Sequence, residues 1–444
     1  MNATAEVKVI KTAAETALAE AFAHAHERLP GGVEIAERRA AAFGLFTERG
    51  LPHRRVEDWK YTDLRALMRE AKPLASAPDA AAKARAKTAG AVLGDVESRR
   101  LVFVDGAFVA ELSDTAALED GLAVASLADA LIENDPTLTA HLGRLAPAAD
   151  IAVALNTALM GDGAVIRIDA GATVERPLHL VFVASEKPAA SFVRSLVVVE
   201  AGARVMLVES HEGPAGSDYQ VNAALELFVG DDAHVDHVKL IDEGFDVLHV
   251  STLAAAIGAR ARFNSFTFIA GGGIVRNQLF LNFDGEDTVA GVRGASLLKG
   301  RQHADTTLVV NHAARGCQSR ELFKAVLDDE AHGVFQGRIV VRPHAQQTDA
   351  KMMTRALLLS DRAEADNKPE LEIFADNVQC GHGATAGAID EELKFYLLAR
   401  GIPPAEAEAL LIQAFLGEAV EGIEHAGLRE ALMERIATWL RERT

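Results

Sequence analysis

Between residues 161 and 388 the side chains alternate between two faces at a period of two, as in Leu178, Leu180 and Phe182 on one face and His179, Val181 and Val183 on the other. The alternation breaks at short runs of glycine, alanine or acid, so the segment predicts strands joined at tight corners. Apolar runs meeting at such a corner recur as VIRIDAGATV, LVVVEAGARVMLV, LELFVGDDAHVDHV, LAAAIGARARFNSF, LFLNFDGEDTVAGV, FKAVLDDEAHGVF and ALLLSDRAEA. Markers at the corners (Gly171, Gly202, Asp232, Gly258, Glu286, Glu330 and Arg362) step by 31, 30, 26, 28, 44 and 32 residues. A nearly constant step with one interval lengthened by an insertion marks a repeat architecture. Helical repeats need a 3.6-residue period, and no leucine-rich signature recurs. A mainly β parallel β-helix, a solenoid with a stacked apolar interior and an exposed last coil, fits best.

The flanks read differently. Residues 1–70 predict a helical hairpin punctuated by Pro30-Gly31-Gly32 and Gly50-Leu51-Pro52. Residues 69–92 are small and charged, as expected of a linker or a loosely held helix. LVFVDGAFV predicts a β-hairpin turning at Asp105-Gly106, and residues 115–160 a helical interlude. At the far end Asp390 is placed to cap EELKFYLLAR, Gly401 to end it and Pro403-Pro404 to open another helix. A last helix puts Leu428, Leu432, Ile436 and Trp439 on one face, either to cap the solenoid or to meet a partner. The expected divisions are 1–95 (N-terminal helical domain and linker), 96–160 (connecting segment), 161–388 (β-helix) and 389–444 (C-terminal helical domain).

Composition narrows the function. The 444 residues carry 45 Lys+Arg and 64 Asp+Glu, a net charge of −19, which argues against a general nucleic-acid binder. No apolar stretch approaches the roughly 18 residues of a membrane span and the N-terminus lacks a signal-peptide core, so a soluble cytoplasmic protein is expected. Cys317 and Cys380 are the only cysteines, too few for a disulfide framework or a self-contained four-thiolate iron–sulfur site.

Cys380-Gly381-His382 is the first candidate for chemistry. On an extended strand the two side chains point the same way, and imidazole with thiolate can ligate a soft metal or pair as base and nucleophile. Taken alone, such a pair is more often a small core residue beside a surface histidine; the flanking glycines, which permit close approach, favour the site. His303, His312, His332 and His344 fall in successive coils where stacking can align them, whereas His234 and His237 face opposite ways and make no chelate. Asp231-Asp232 and Asp328-Asp329 sit at corners, where turn chemistry explains them. Gly271-Gly272-Gly273 lacks the ending of a phosphate loop and reads as a close-packed corner. A β-helix acting on glycans would need a groove of aromatics, and aromatic residues make up 5% of the chain with two Trp.

RRVEDWKYTDL, ALNTALMGDGAVIRI with ERPLHLVF, the block from NHAARGCQSRELFKAVL through GVFQGRIVVRPHAQQTDAK, and PELEIFADNVQCGHGATAG with FYLLARGI together resemble the SufD family, related to SufB within the Suf iron–sulfur cluster assembly machinery. Trp59 to Thr62, Gly383 after the histidine and the chain length favour SufD over SufB. The resemblance implies a right-handed parallel β-helix between N-terminal and C-terminal helical domains. It also implies a scaffold, not an enzyme: a subunit pairing with SufB end to end and carrying the SufC ATPase on its C-terminal helices. ATP-driven SufC dimerisation would then open the SufB–SufD interface. The family's interface histidine falls on His382, a ligand for iron or a transient Fe–S cluster shared with SufB, with Cys380 a weaker candidate. No nucleotide, nucleic acid or membrane is expected on this chain itself, and homodimerisation in isolation is left open. Leu410, Ile412 and Phe415 are the expected SufC-facing residues. The rival reading is a purely structural adaptor that recruits SufC and steadies SufB without touching iron.

Overall fold

The computed structural model describes residues 11–93 and 96–443. Strands β1 (Arg99–Val104), β2 (Ala107–Phe108), β3 (Leu122–Ser126), β4 (Ala164–Ile168), β5 (Leu178–Val183) and β6 (Ala190–Val199) begin the stack. It continues through β7 (Arg204–Glu212), β8 (Gln220–Val229), β9 (His234–Asp242), β10 (Leu248–Ile257), β11 (Arg262–Ile269), β12 (Ile274–Phe283) and β13 (Val289–Leu298). The last strands are β14 (His303–His312), β15 (Gln318–Leu327), β16 (His332–Val341), β17 (Asp349–Leu358), β18 (Glu364–Ile373) and β19 (Gln379–Gly387). From β4 onward they alternate between two parallel sheets, ending at β18 in one and β19 in the other. The result is a flattened parallel solenoid of about 8 turns, mainly β, as the two-residue alternation predicts.

Each coil repeats because its corner does. One corner carries a column of residues in the left-handed region, one per coil: Gly171, Gly202, Asp232, Arg260, Asp287, Gly316 and Gln347. Glycine adopts that backbone freely, and Asp tolerates it through local hydrogen bonds. Arg260 also pairs with Asp232 of the coil before, Nε to Oδ1 at 2.8 Å. The 44-residue interval inferred from sequence is therefore not an insertion. Glu286 lies at this corner, between β12 and β13, whereas Glu330 and Arg362 lie at the opposite one, between β15 and β16 and between β17 and β18. Both corners use acidic and small residues with positive φ, Asp329 and Gly300 among them, so composition could not tell them apart. In register the coils repeat evenly: Gln220, Leu248, Ile274, His303, His332 and Glu364 stand in one column. The Gly271–Gly273 run is a packed corner, as expected; a Cβ on Gly271 would lie 2.2 Å from the Glu243 backbone nitrogen.

The start of the stack is closed. β1 and β2 form the expected hairpin, Asp105 and Gly106 both having positive φ as a two-residue turn of this hand requires. Antiparallel β3 covers β4 at the edge of the other sheet. β3 lies inside the segment expected to be helical; its alanines suit either state, and pairing with β4 decides for the strand. Residues 69–92 are likewise more anchored than composition implied, since Ala82, Ala86 and Ala89 pack on Val102, Val104 and Val181.

Helices cover both flat faces. α1 (Ala13–Ala25) and α2 (Val33–Arg49) form the expected hairpin, followed by α3 (Leu64–Leu67), α4 (Ala80–Arg85), α5 (Leu127–Glu133), α6 (Pro136–His141) and α7 (Ile151–Leu159). Phe46, Trp59 and α7 bury themselves with Leu248 and Val250 of the β18-containing sheet. The WKYT segment is clamped there: Arg276 lies 4.5 Å over the Trp59 ring and pairs with buried Asp305, to which Thr62 also donates. Beyond the stack come α8 (Glu391–Leu398), α9 (Pro404–Val420) and α10 (Ala426–Arg443). Asp390 caps α8 and Gly401 takes positive φ, as expected. The stripe of Leu428, Leu432, Ile436 and Trp439 does not cap the solenoid's end; with Ile412 and Leu416 it packs on Val238, Phe266, Phe268 and Leu297, on the outside of the other sheet. Among the described residues no helix is long and apolar enough to cross a membrane.

Glycine at the stacked corners predicts opposite outcomes for one substitution. A Cβ on Gly285 would lie 1.9 Å from the backbone nitrogen of Ala259 in the preceding coil, so Gly285→Ala is expected to destabilise by at least about 1–3 kcal/mol. Gly417, inside α9 with nothing within 4 Å, should gain roughly 0.5–1 kcal/mol as alanine. Urea unfolding midpoints of the two variants against the parent chain test both signs.

Candidate functional site

Among the described residues, the last coil has a neighbouring coil on one side only. β19 reads QCGHGATAG and is paired to β17 with Cys380 opposite Ala350 and His382 opposite Met352. Ala350 and Met352 face the interior, so the register carries Cys380 and His382 onto the lumen side. Their Cα atoms are two residues apart on one strand, roughly 6–7 Å. Cys380 is half-buried and touches the core, while His382 is exposed at the end of the stack. Small residues make this possible: Gly383 leaves room for Met353, whose Cε would otherwise sit 2.6 Å from a Cβ.

Burial pushes the Cys380 thiol up, and the carboxylates of Asp349 and Glu321 add to this against a backbone N–H from Ala350. These surroundings make the Cys380 thiolate scarcer than that of a free cysteine, and the thiol binds metal only by releasing its proton. Glu321 was not singled out from the sequence. It lies on β15 in the same column, beneath Met352, with both carboxylate oxygens lacking a well-formed hydrogen bond. Its position on the inward face of SRELF is a polar residue on an apolar stripe, the one signal available. Ser319, two residues earlier, continues the polar path to the Nε2 of His312 at 3.0 Å. A second inward cluster was missed for the same reason: the His237 Nε2 is 2.7 Å from Glu209, with Lys239 at 3.6 Å and Ser265 on the other ring nitrogen.

The two edges at the open end differ. β18 carries Glu364, Asp366, Lys368, Pro369, Glu370 and Glu372, the charges and proline that discourage strand addition. β19 has neither charge nor proline.

The other histidines are placed with partners. His303 and His332 stack in register, Nδ1 to Nδ1 at 3.2 Å, and His332 reaches Asp366 at 2.8 Å. His312 is inside the lumen, and His344 binds the Ala313 carbonyl from an exposed corner, so the four occupy three environments and not one column. His234 and His237 do face opposite ways; His234 meets Asp236 and Glu424 on the outside. Asp231 and Asp328 accept backbone N–H groups at corners, as turn residues do. Buried Cys317 sits 3.2 Å from the Gly285 carbonyl. Leu410, Ile412 and Phe415 do not share an outward face. Ile412 is fully buried, and Phe415 lies under the Lys324 ammonium; Leu410 alone is exposed.

The profile described as "SUF system FeS cluster assembly, SufBD core domain" matches residues 181–415, and that of the "SufBD protein N-terminal region" matches residues 14–180. The chain belongs to the SufBD family. It is 33% identical over 420 residues to an iron–sulfur cluster assembly SufBD family protein of Synechocystis, covering 91% of this chain and 90% of that one. It is 31% identical over 391 residues to iron–sulfur cluster assembly protein SufD of Escherichia coli, 87% and 89% of the two chains. The SufD of Bacillus subtilis is 28% identical over 286 residues, 64% and 65% of the two chains. The SufBD core profile spans β19 and its CGH sequence.

Glu321 gives this end of the solenoid a pH signature. Burial pushes its carboxyl from 4.5 up to about 7. Below 4.5 it is protonated folded or unfolded; between 4.5 and 7 the unfolded chain releases the proton first, so stability falls as pH rises. The loss is roughly 3 kcal/mol, complete above about 7. Glu321→Gln should remove this component, so the stability difference between variant and parent, followed by urea unfolding, should swing in the variant's favour between pH 4.5 and 8.

Proposed function

We propose that the chain is a scaffold subunit of Suf iron–sulfur cluster assembly that pairs with a SufB subunit through the β19 edge and contributes His382 to the nascent cluster. The observation that carries this reading is an exposed imidazole on the uncapped, unprotected edge strand of the last coil. Neutral imidazole ligates iron, and a ligand at a strand edge is completed by whatever chain adds there. The cluster is cargo on this reading, built from iron and sulfide with most ligands from the partner. Cys380, half-buried and protonated, is a secondary ligand that engages when metal displaces its proton. The chain itself performs no bond chemistry; its part is to hold and position. Membership of a cluster-assembly family and the likeness to proteins named SufD support the assignment.

The C-terminal helices are the proposed seat of the SufC ATPase, with the contact moved from the face first expected. Ile412 is packing, whereas α8 has no buried residue and presents Leu393, Phe395 and Tyr396 beside exposed Leu410. Phe395→Asp and Leu410→Asp should abolish co-purification of SufC while leaving SufB bound; retention of SufC in both variants argues for another surface.

His382→Ala separates the ligand role from a purely structural adaptor. The variant should assemble with SufB and SufC, as gel filtration would report, yet form cluster with a yield roughly tenfold lower by absorbance and labile sulfide. An unchanged yield in an intact complex would leave only the adaptor.

A further inference from the structure

The N-terminal segment roofs a cavity of about 350 Å³ on the outer face of the β18-containing sheet, a volume in the range of about 300–1,000 Å³ typical of small-molecule sites. Its floor is made by outward residues of three adjacent strands: Gln278 and Phe280 on β12, Thr307 and Val309 on β14, and Arg338 on β16. The register sets them in two rows, Gln278 beside Thr307, and Phe280 beside Val309 beside Arg338. The roof runs from Arg49 to Trp59 and includes the indole that Arg276 covers.

Two features distinguish this space from a packing fault. Gln278 is 1% exposed, yet among the described residues its Oε1 has no hydrogen-bond partner. Arg276, also 1% exposed and lining the cavity, has no partner for its Nε among the described residues. Buried polar atoms left unpaired cost about 1–3 kcal/mol each, so a cavity lined by them suits a molecule that supplies partners. Three arginines, Arg49, Arg276 and Arg338, line the cavity against two aspartates, Asp58 and Asp150. Arg338 stands 3.8 Å from Asp58 and 3.6 Å from Glu372, too far for a tight pair, and Arg49 meets the Ala149 carbonyl at 3.3 Å. Asp150, the other acid in the wall, is engaged as the cap of α7 and as acceptor for the Trp59 indole.

We infer that this cavity binds a small aromatic organic anion carrying an N–H or O–H donor. The ring lies on Phe280 and Val309 against Trp59, the donor bonds Gln278 Oε1, and the anionic group reaches Arg338. The site is on the opposite sheet from β19 and does not depend on the role of His382.

The test uses 8-anilinonaphthalene-1-sulfonate, an aromatic anion with an N–H, titrated into the folded full chain. Trp439→Phe leaves Trp59 as the single indole donor, and saturable binding with energy transfer from Trp59 is expected. Arg338→Gln should weaken binding roughly tenfold and Gln278→Leu several-fold, while Val309→Trp, read by direct excitation of the dye, should abolish it. Inorganic phosphate, which cannot cover the apolar floor, should displace the dye poorly. Absence of saturable binding, absence of transfer from Trp59, or equal affinity in the parent, Arg338→Gln and Gln278→Leu chains would each overturn the inference. Circular dichroism of every variant confirms that it is folded, and the two polar substitutions decide the matter if Val309→Trp is not.

Discussion

Every coil of the solenoid is held by backbone hydrogen bonds to the coil before and the coil after, and the terminal coil has a partner on one side only. That constraint organises the molecule. At the start of the stack the deficit is met internally, by the β1–β2 hairpin and by antiparallel β3. At the end it is left open, and the two exposed edges are treated differently. β18 is guarded by proline and charge, and β19 presents only small or neutral residues around His382. A strand so exposed is a place for another chain to add.

The flat faces obey the same logic in another direction. A two-sheet solenoid has outer surfaces as apolar as its lumen wherever a helix must dock, and buried charges fix where the helices sit. Arg276 and Asp305 receive the Trp59 segment. Arg194 and Glu226 receive the turn before α7, Glu226 accepting backbone N–H groups of Gly143 and Leu145 at 2.7 and 2.9 Å. Replacing one member of such a pair strands the other charge in a dry environment. The cavity under the Trp59 segment is a consequence: the roof is held at its ends by charge, and the space between is not filled by side chains.

Much of the fold was legible because its determinants are local. Period-two alternation, Asp105-Gly106, the Asp390 cap and the stripe of Leu428, Leu432, Ile436 and Trp439 each depend on residues close in sequence. The errors arose where one local signal had two spatial meanings. Asp232 and Asp329 mark opposite corners with the same chemistry, which produced an apparent insertion. Ile412 and Leu410 are neighbours in sequence, yet one faces the sheet and the other solvent.

The CGH sequence by itself determined which atoms are available to a metal and, through strand geometry, that they point one way. Only the tertiary structure decided that they lie on the lumen side of the last coil, that burial holds the thiol's proton more tightly, and that Glu321 stands buried in the column beneath. Spacing along a strand is fixed by the 3.3 Å rise of the backbone, whereas exposure, dielectric and charge at a side chain are set by residues tens of positions away that the stacking brings into register.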